Sequence, residues 1–347
     1  MADRADVLDF VLPPALKAHE PPEARGRARD GVRLLAGRRG TGEVTHHAFT
    51  DLPGLLRPGD LLVVNTSATL PAAVRLDKIS VHFSTPLPHE DGSDGRLWLV
   101  ELRRWAAKAS VPYDGGFPGE WIPMPGNATL SLLGRQTGRL WRARLSTEVV
   151  PYLRRHGTPI RYGYVRRDWP ASAYQTAFAH DPDTGGAEMP SAARPFTPEL
   201  VTRLVSGGVL IAPITLHTGV ASPEAHEPPV AERYEVPAAT AALVGHVRAG
   251  GGRVIAVGTT AVRALETAAA PDGTVRASGG WTEHVVTPGR GVLAVDGLLT
   301  GLHEPKSSHL VMLTAIAGRG LLTAAYEAAL AGGYLWHEFG DANLLLP

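Results

Sequence analysis

The stretch GGRVIAVGTTAVRALETAA, residues 251–269, decides the fold of this chain. Its apolar, partly β-branched run at 253–257 is bounded by glycines on both sides, which predicts an interior parallel strand. Thr259 and Thr260 follow as candidate N-caps of a helix. A strand that enters a helix through such a turn leaves backbone N–H groups and hydroxyls at the carboxyl edge of a sheet, where ligands commonly bind.

The helix after this turn has apolar residues at helical spacing, and its Arg263 and Glu266 are expected to pair on the outer face. Upstream, VLIAPITLH at 209–217 predicts a second interior strand, which ends on His217. A strand, a crossover helix and a strand in this order imply parallel strands with a right-handed connection. We therefore expect His217 and Gly258 to open on the same edge of the sheet.

The hydropathy pattern changes between residues 70 and 150, where short runs of alternating apolar and polar residues are separated by Gly and Pro clusters. This pattern is typical of a small antiparallel β module. The predicted fold is an α/β main domain with a parallel or mixed sheet, formed by residues 1–69 and 151–347 and interrupted by an inserted small antiparallel β-barrel domain at 70–150. The tryptophan-bearing runs of the module are expected to supply its core, with stacking on nucleic acid as the alternative.

Composition sets limits on the function. The chain has 347 residues, of which 44% are apolar and 20% charged, as in soluble globular proteins. Because it has no cysteine, disulfides, thiolate catalysis and cysteine-ligated metals are excluded. Because its net charge is zero, the chain lacks the overall positive potential of a dedicated nucleic-acid-binding protein, although a local basic patch could still contact phosphates. The N-terminal MADRADVLDF has no signal-peptide pattern, so we expect a cytoplasmic protein without a membrane partner.

Several familiar motifs are absent. The segment GLHEPKS at 301–307 is superficially similar to a phosphate-binding loop, but it lacks the second glycine and contains Pro305. His303 and His309 do not have the spacing of a helical zinc pair, and no GxSxG elbow occurs. The sequence therefore predicts no metal site and no nucleoside triphosphate site of these kinds.

Ordered sequence blocks carry a family resemblance. They are LDFVLPPAL, LLRPGDLLVVN, AYQTAFA, ITLHTG, RYEVP, GGRVIAVGTTAVRALETAA, GWTEHVVTPG, LTGLHEPKSS and FGDANLL. In this order they resemble the S-adenosylmethionine:tRNA ribosyltransferase-isomerase (QueA) family over nearly the whole chain. The resemblance implies an α/β domain interrupted by a small β-barrel domain. It also implies that S-adenosylmethionine donates a ribosyl group to 7-aminomethyl-7-deazaguanine in tRNA, where it becomes an epoxy-cyclopentane and adenine and methionine are released.

The implied reaction needs particular side chains. The sulfonium of the donor acidifies the neighbouring 5′ carbon, so a base must take a proton there, and hydrogen-bond donors must hold the sugar and the leaving adenine. His217 and His303 are the candidate proton carriers, and Lys306 is an alternative base or electrostatic partner. The competing interpretations are turn-capping or structural histidines and a solvated lysine.

Further residues are candidates for holding the donor. The Gly258, Thr259 and Thr260 turn is the expected cradle, unless it only caps the helix. Inside the matching blocks, the other candidate positions are Arg263, Trp281, Tyr174, Gln175, Asn65 and, more weakly, Asp341. Arg263 could instead belong to a surface pair, and Trp281 could cover either the ligand or the core.

The chain also departs from the family pattern, and this leaves the acceptor open. Asn65 to Thr69 stand where the family typically has NDTRV, Pro195 stands where it has histidine, and the loops at 218–223 and 301–304 differ. The main hypothesis is the family's tRNA-modifying transfer. The alternatives are a relative that applies the same sulfonium chemistry to a small molecule or to the donor alone, and a binding protein that has lost catalysis.

Overall fold

Two β-sheets organise the computed structural model, which describes residues 8–87, 95–106, 109–181, 184–220 and 230–347. The larger sheet has nine strands, in the spatial order β14-β12-β11-β3-β13-β15-β16-β1-β2. Their bounds are β1 (Arg33–Arg38), β2 (Val44–Ala48), β3 (Leu61–Asn65), β11 (Leu210–Leu216), β12 (Glu232–Val236), β13 (Val254–Val257), β14 (Ser278–Thr282), β15 (Gly297–Gly301) and β16 (Ala342–Leu346).

Four neighbouring strands at the centre of this sheet are parallel. Strand β3 pairs in parallel with β11 on one side and with β13 on the other, and β13 pairs in parallel with β15. The carboxyl ends of all four strands therefore lie along one edge, as predicted for His217 and Gly258. The outer strands include antiparallel pairs, so the sheet is mixed.

Both faces of the larger sheet are covered, which explains the continuous apolar runs of its central strands. In β3, Leu61 and Val63 belong to the core on one face, and Leu62 and Val64 to the core on the other. The helices are α1 (Leu52–Leu55), α2 (Val149–His156), α3 (Pro198–Ser206), α4 (Ala238–Ala249), α5 (Thr259–Ala268), α6 (Ser308–Ala317) and α7 (Arg319–Ala331). Helices α4 to α7 pack on the first face, and α1 and α3 pack on the second. The predicted α/β main fold with a mixed sheet is confirmed.

The smaller sheet is antiparallel and has seven strands, in the order β4-β5-β6-β10-β9-β8, with β7 paired to β6. Its strands are β4 (Ala73–Arg75), β5 (Ile79–Pro86), β6 (Leu97–Ala106), β7 (Ala109–Pro112), β8 (Trp121–Met124), β9 (Ala128–Arg135) and β10 (Leu140–Leu145). Among the described residues no ladder joins the edge strands β4 and β8, so the curled sheet is not a hydrogen-bonded closed barrel in that part of the chain.

The tryptophans of the smaller sheet do not all serve its core. Trp98 and Trp141 are buried in it, as expected. The run that contains Trp121 supplies Ile122 and Met124 to the core, but Trp121 itself lies on the edge strand β8 with 74% of its surface exposed. In β8, Trp121 alternates with buried Ile122, so it occupies the solvent face of a half-buried strand.

Two local predictions around residue 258 are wrong. Helix α5 is N-capped by Gly258, whose φ of 92° suits glycine, and Thr259 and Thr260 lie in the first turn of the helix instead of capping it. Glu266 does not pair with Arg263 on an outer face. It is only 6% exposed and accepts the backbone N–H groups of residues 293–295 with both carboxylate oxygens.

Within the described ranges, no single helix is long and apolar enough to cross a membrane. Helices α6 and α7 reach the length and apolar composition of a membrane span only when they are taken together, and a 119° bend separates them.

Candidate active site at the carboxyl edge of the larger sheet

Asn65 joins the ends of three parallel strands. It is the last residue of β3, and its Nδ2 donates to the Leu216 carbonyl at 2.9 Å and to Thr260 Oγ1 at 3.0 Å. Its Oδ1 accepts the backbone N–H groups of Ser67 and Leu216, each at 3.0 Å. These four hydrogen bonds use both donors and both acceptor positions of the amide. Asn65 therefore shapes the edge, and the predicted contact with the donor would require one of these bonds to break.

His217 lies directly after β11, next to this junction. It is 9% exposed, and its Nδ1 lies 2.9 Å from Ser67 Oγ. Burial, with a smaller contribution from the positive charge of Arg233, lowers the pKa of His217 to about 4, although Asp181 acts in the opposite direction. The imidazole is therefore neutral at pH 7 and can accept a proton.

An ion pair fixes the loop that follows His217. Glu232, which is 6% exposed, accepts the Gly219 backbone N–H on Oε1 at 2.7 Å and pairs with Arg263 through Oε2. Arg263 also donates to the carbonyls of His284 at 3.1 Å and Thr282 at 3.3 Å. The guanidinium thus connects α5 to β12 and β14, and its hydrogen bonds are directed at the protein.

The same loop contacts the smaller sheet. The backbone N–H of Val220 donates to Ser84 Oγ at 3.0 Å, and Arg139 donates to the Val220 carbonyl at 3.2 Å. His217 therefore lies where the carboxyl edge of the larger sheet meets the smaller sheet. The loop at 218–223, whose sequence differs from the family pattern, is described only as far as residue 220.

Gln175 and Tyr174 hold the chain after Asn65. The Gln175 amide forms two hydrogen bonds with the backbone of Thr69, of 3.0 Å to its N–H and 2.7 Å to its carbonyl. Thr69 Oγ1 donates to the Tyr174 carbonyl at 2.6 Å. Tyr174 is 4% exposed and packs against Phe339, and burial raises the pKa of its phenol. The Gln175 side chain and the Tyr174 backbone carbonyl thus hold the 65–69 loop at Thr69.

His303 lies in an enclosed polar cluster beyond the end of β15. Its Nε2 is 2.9 Å from Thr300 Oγ1, and its ring stacks on His309 with centroids 4.5 Å apart. Its backbone N–H donates to Tyr326 at 3.1 Å, and its carbonyl accepts Trp336 Nε1 at 2.9 Å. Desolvation, followed by the neighbouring histidines, lowers the pKa of His303 well below its usual value.

The remaining predicted residues have other surroundings. Lys306 is on the surface, with 71% of its side chain exposed and its Nζ 3.1 Å from Asp9. Trp281 is partly exposed on the outermost strand β14, opposite Arg233 of β12. Asp341 forms an ion pair with Arg33 at 2.8 Å. None of these three side chains has a hydrogen bond to His217 within the described ranges, so their roles toward a substrate stay predictions.

The opposite edge of the larger sheet also has a cleft. It has a volume of about 190 Å³ and is lined by residues 57–60, Leu210, His246, Val247 and residues 250–253. The backbone N–H groups of Gly59 and Gly252 donate to protein carbonyls there, and Asp60 pairs with Arg253. Because ligands of parallel sheets bind outside the carboxyl ends of the strands, the His217 edge is the better candidate. No group of three or more potential ligands to a metal occurs in the described part of the chain.

Comparison with known proteins identifies the family. The model of the family described as "Queuosine biosynthesis protein" matches residues 5–345. This chain belongs to the queuosine biosynthesis protein family. A family relative from Symbiobacterium thermophilum, named S-adenosylmethionine:tRNA ribosyltransferase-isomerase, is 36% identical, and the alignment covers 99% of this chain and 100% of the relative. A relative of the same name from Acidithiobacillus ferrooxidans is 39% identical over 97% of this chain and 96% of its own.

A solved structure of the same family has the same overall architecture. It is the S-adenosylmethionine tRNA ribosyltransferase from Thermotoga maritima, which is 29% identical and superposes with a TM-score of 0.55. The match covers 98% of this chain and 99% of the other. The similarity therefore extends over both sheets described above.

Acid should destabilise the folded state through its enclosed histidines. Burial is the main cause that lowers the pKa of His217 and His309 to about 4 and of His82 to about 3. In the unfolded chain these groups titrate near 6.5, so below that pH the unfolded state binds more protons. The stability present above pH 6.5 is then lost as the pH falls toward 4, by about 2 kcal/mol per histidine at pH 5. Glu266 and Glu338, whose pKa values are raised by burial, act in the opposite direction.

Urea unfolding at pH 7 and pH 5 measures this effect. We expect the free energy of unfolding to be several kcal/mol lower at pH 5. The matched variant His82→Gln has one titrating group fewer and should show a smaller difference between the two pH values. An equal free energy at both pH values in the unmodified protein would contradict the histidine assignment.

Proposed function

We propose that this protein is an S-adenosylmethionine:tRNA ribosyltransferase-isomerase. It would transfer the ribosyl group of S-adenosylmethionine to 7-aminomethyl-7-deazaguanine in tRNA, isomerise it to the epoxy-cyclopentane, and release adenine and methionine. The observation that carries this proposal is the end-to-end match to relatives of that name at 36 to 39% identity. Matches of this extent leave no part of either chain for an unrelated catalytic domain.

The carboxyl edge suits the first chemical step. In our proposal His217 takes a proton from the 5′ carbon of the donor, which the adjacent sulfonium acidifies. Its neutral imidazole at pH 7 is able to accept that proton. The first turn of α5 and the Gly258 turn remain our proposed cradle for the donor, because the amino end of this helix is oriented toward the same edge.

The other proposed participants act from more distant positions. His303 remains a proposed proton carrier, and Lys306 remains an alternative base or electrostatic partner. Arg263, Tyr174, Gln175 and Asn65 are proposed to act on the donor site through the loops that they hold, and Trp281 is proposed to cover it. Because such loops are already held in place, their hydrogen-bond donors need little reorientation when charge develops on the substrate in the transition state.

The proposal extends to domain organisation. We assign residues 1–69 and 151–347 to the catalytic α/β domain and residues 70–150 to an inserted β-barrel domain. Strands β4 to β10 fall inside the second range, and their ladders, where described, pair them only with one another. We also propose a cytoplasmic location, since the acceptor is tRNA.

Product analysis tests the function. The protein is incubated with S-adenosylmethionine and a tRNA that carries 7-aminomethyl-7-deazaguanine, and adenine and the nucleosides are quantified by mass spectrometry. We expect one adenine released per nucleoside that gains the epoxy-cyclopentane mass. The control tRNA has guanine at the same position and should give neither product. Adenine formed equally well without tRNA would favour the donor-only alternative, and no adenine under any condition would sink the proposal.

A further inference from the structure

The buried hydroxyl of Ser67 has two neighbours and one proton. Ser67 is 2% exposed, and its Oγ lies 2.9 Å from His217 Nδ1 and 3.2 Å from the Ala68 carbonyl oxygen. The carbonyl can only accept a hydrogen bond, so the hydroxyl satisfies this contact only by donating its proton there. With the hydroxyl proton directed at this carbonyl, which also accepts the Gly186 N–H at 2.9 Å, His217 Nδ1 carries the proton of the imidazole and donates it to Ser67 Oγ.

The other ring nitrogen is consistent with the same assignment. His217 Nε2 has no hydrogen-bond partner among the described residues. No protein group in the described part of the chain therefore occupies the lone pair that Nε2 has when the proton is on Nδ1. The imidazole is neutral because burial lowers its pKa to about 4, so only one nitrogen carries a proton.

The position of Ser67 is itself determined by the strand junction. Its backbone N–H donates to Asn65 Oδ1 at 3.0 Å, and two residues later Gln175 holds the backbone of Thr69. The backbone that carries the hydroxyl is thus anchored on both sides of Ser67. Such an arrangement selects one tautomer and one ring orientation.

We propose that Ser67 is a positioning residue, which holds His217 in the Nδ1–H tautomer and leaves Nε2 as the nitrogen that accepts the proton. The inference deepens the proposed function and rests on it, because it concerns the base of that reaction. Ser67 itself contacts no reacting atom in this account. Its effect on the reaction passes through the imidazole.

Nitrogen NMR tests the tautomer without any turnover. The protein is labelled with ring-¹⁵N histidine, and the His217 signals are identified by their absence in His217→Ala. We expect the ¹⁵N chemical shifts of a neutral ring protonated on Nδ1. Ser67→Thr should retain these shifts, and Ser67→Ala should show the shifts of a mixture of the two tautomers. Signals of the Nε2–H tautomer in the unmodified protein would overturn the proposal.

Kinetics test the consequence. Ser67→Ala should lower kcat for adenine release about tenfold and leave KM for S-adenosylmethionine within about twofold, since the base is misoriented but the donor site is intact. Ser67→Thr keeps a hydroxyl and should recover most of the rate. Thr66→Ala is the matched control, because the Thr66 hydroxyl contacts Ile214 and Thr215 and does not contact His217. Its kcat should equal that of the unmodified protein.

The outcomes separate this inference from the function on which it rests. If the unmodified protein releases no adenine, the proposed function fails while the NMR result still decides the tautomer. If the protein is active and thermally stable Ser67→Ala matches it in kcat, the positioning role is wrong and the function stands. Equal losses in Ser67→Ala and Ser67→Thr, both folded by thermal melting, would also refute a role of the hydroxyl.

Discussion

Replacing His217 by alanine is expected to lower the rate of adenine release by about a thousandfold, because a positioned general base typically contributes a factor of this size. The neutral imidazole at the junction of the two sheets is the group that the account assigns to proton abstraction. The measurement is single-turnover release of adenine from S-adenosylmethionine in the presence of the precursor tRNA. Binding of the donor, followed by calorimetry, should change by only a few fold.

The matched control for this prediction is His246→Ala. His246 is exposed on α4 and lines the cleft at the opposite, amino edge of the sheet. We expect this variant to release adenine at the unmodified rate. A His217→Ala variant that stays within tenfold of the unmodified rate would show that another group takes the proton, and His303 would then be the next candidate.

The second large effect is on stability. Asn65→Ala should reduce the free energy of unfolding by about 3 to 5 kcal/mol, because it leaves the Leu216 N–H and carbonyl and the Ser67 N–H without their buried partner. For a chain of this size that corresponds to a fall in melting temperature of about 4 to 7 °C. Urea unfolding and calorimetry measure both quantities.

Asn343 offers a matched control in the same sheet. Like Asn65 it is 0% exposed, but neither its Oδ1 nor its Nδ2 has a hydrogen-bond partner among the described residues. Asn343→Ala removes the same side-chain atoms as Asn65→Ala, but the amide that it removes has no hydrogen-bond partner among the described residues. The loss in free energy of unfolding should therefore be smaller than in Asn65→Ala by about 3 kcal/mol. Equal losses in the two variants would mean that the hydrogen bonds of Asn65 contribute little.

Periodicity and turn chemistry were sufficient to predict the strand edge that carries the candidate site. The runs at 209–217 and 253–257 are strands β11 and β13, and their carboxyl ends share an edge. Both signals are local, since an interior parallel strand needs a continuous apolar run and a glycine that allows the turn. The sequence did not show that β3 lies between them, because the order of strands depends on contacts between distant segments.

The residues that contact His217 and its loop have no strong pattern in the sequence. Ser67 and Glu232 were not predicted, because a single hydroxyl or carboxylate has no periodic signature and its partner is distant in sequence. Glu232 precedes the quoted RYEVP block by one position, so an alternating pattern over 232–236 would have been the available clue. Arg263 stays a predicted donor-site residue, but its predicted pairing with Glu266 was wrong because Glu266 lies on a buried face of α5.

The central claim is that the carboxyl edge of the larger sheet binds the donor next to His217. A crystal structure of the protein with S-adenosylmethionine, in the absence of tRNA, tests it most directly. We expect density for the donor at the Gly258 turn, with its 5′ carbon within reach of His217 Nε2. Density in the amino-edge cleft beside Arg57 and His246, with the His217 edge empty, would contradict it.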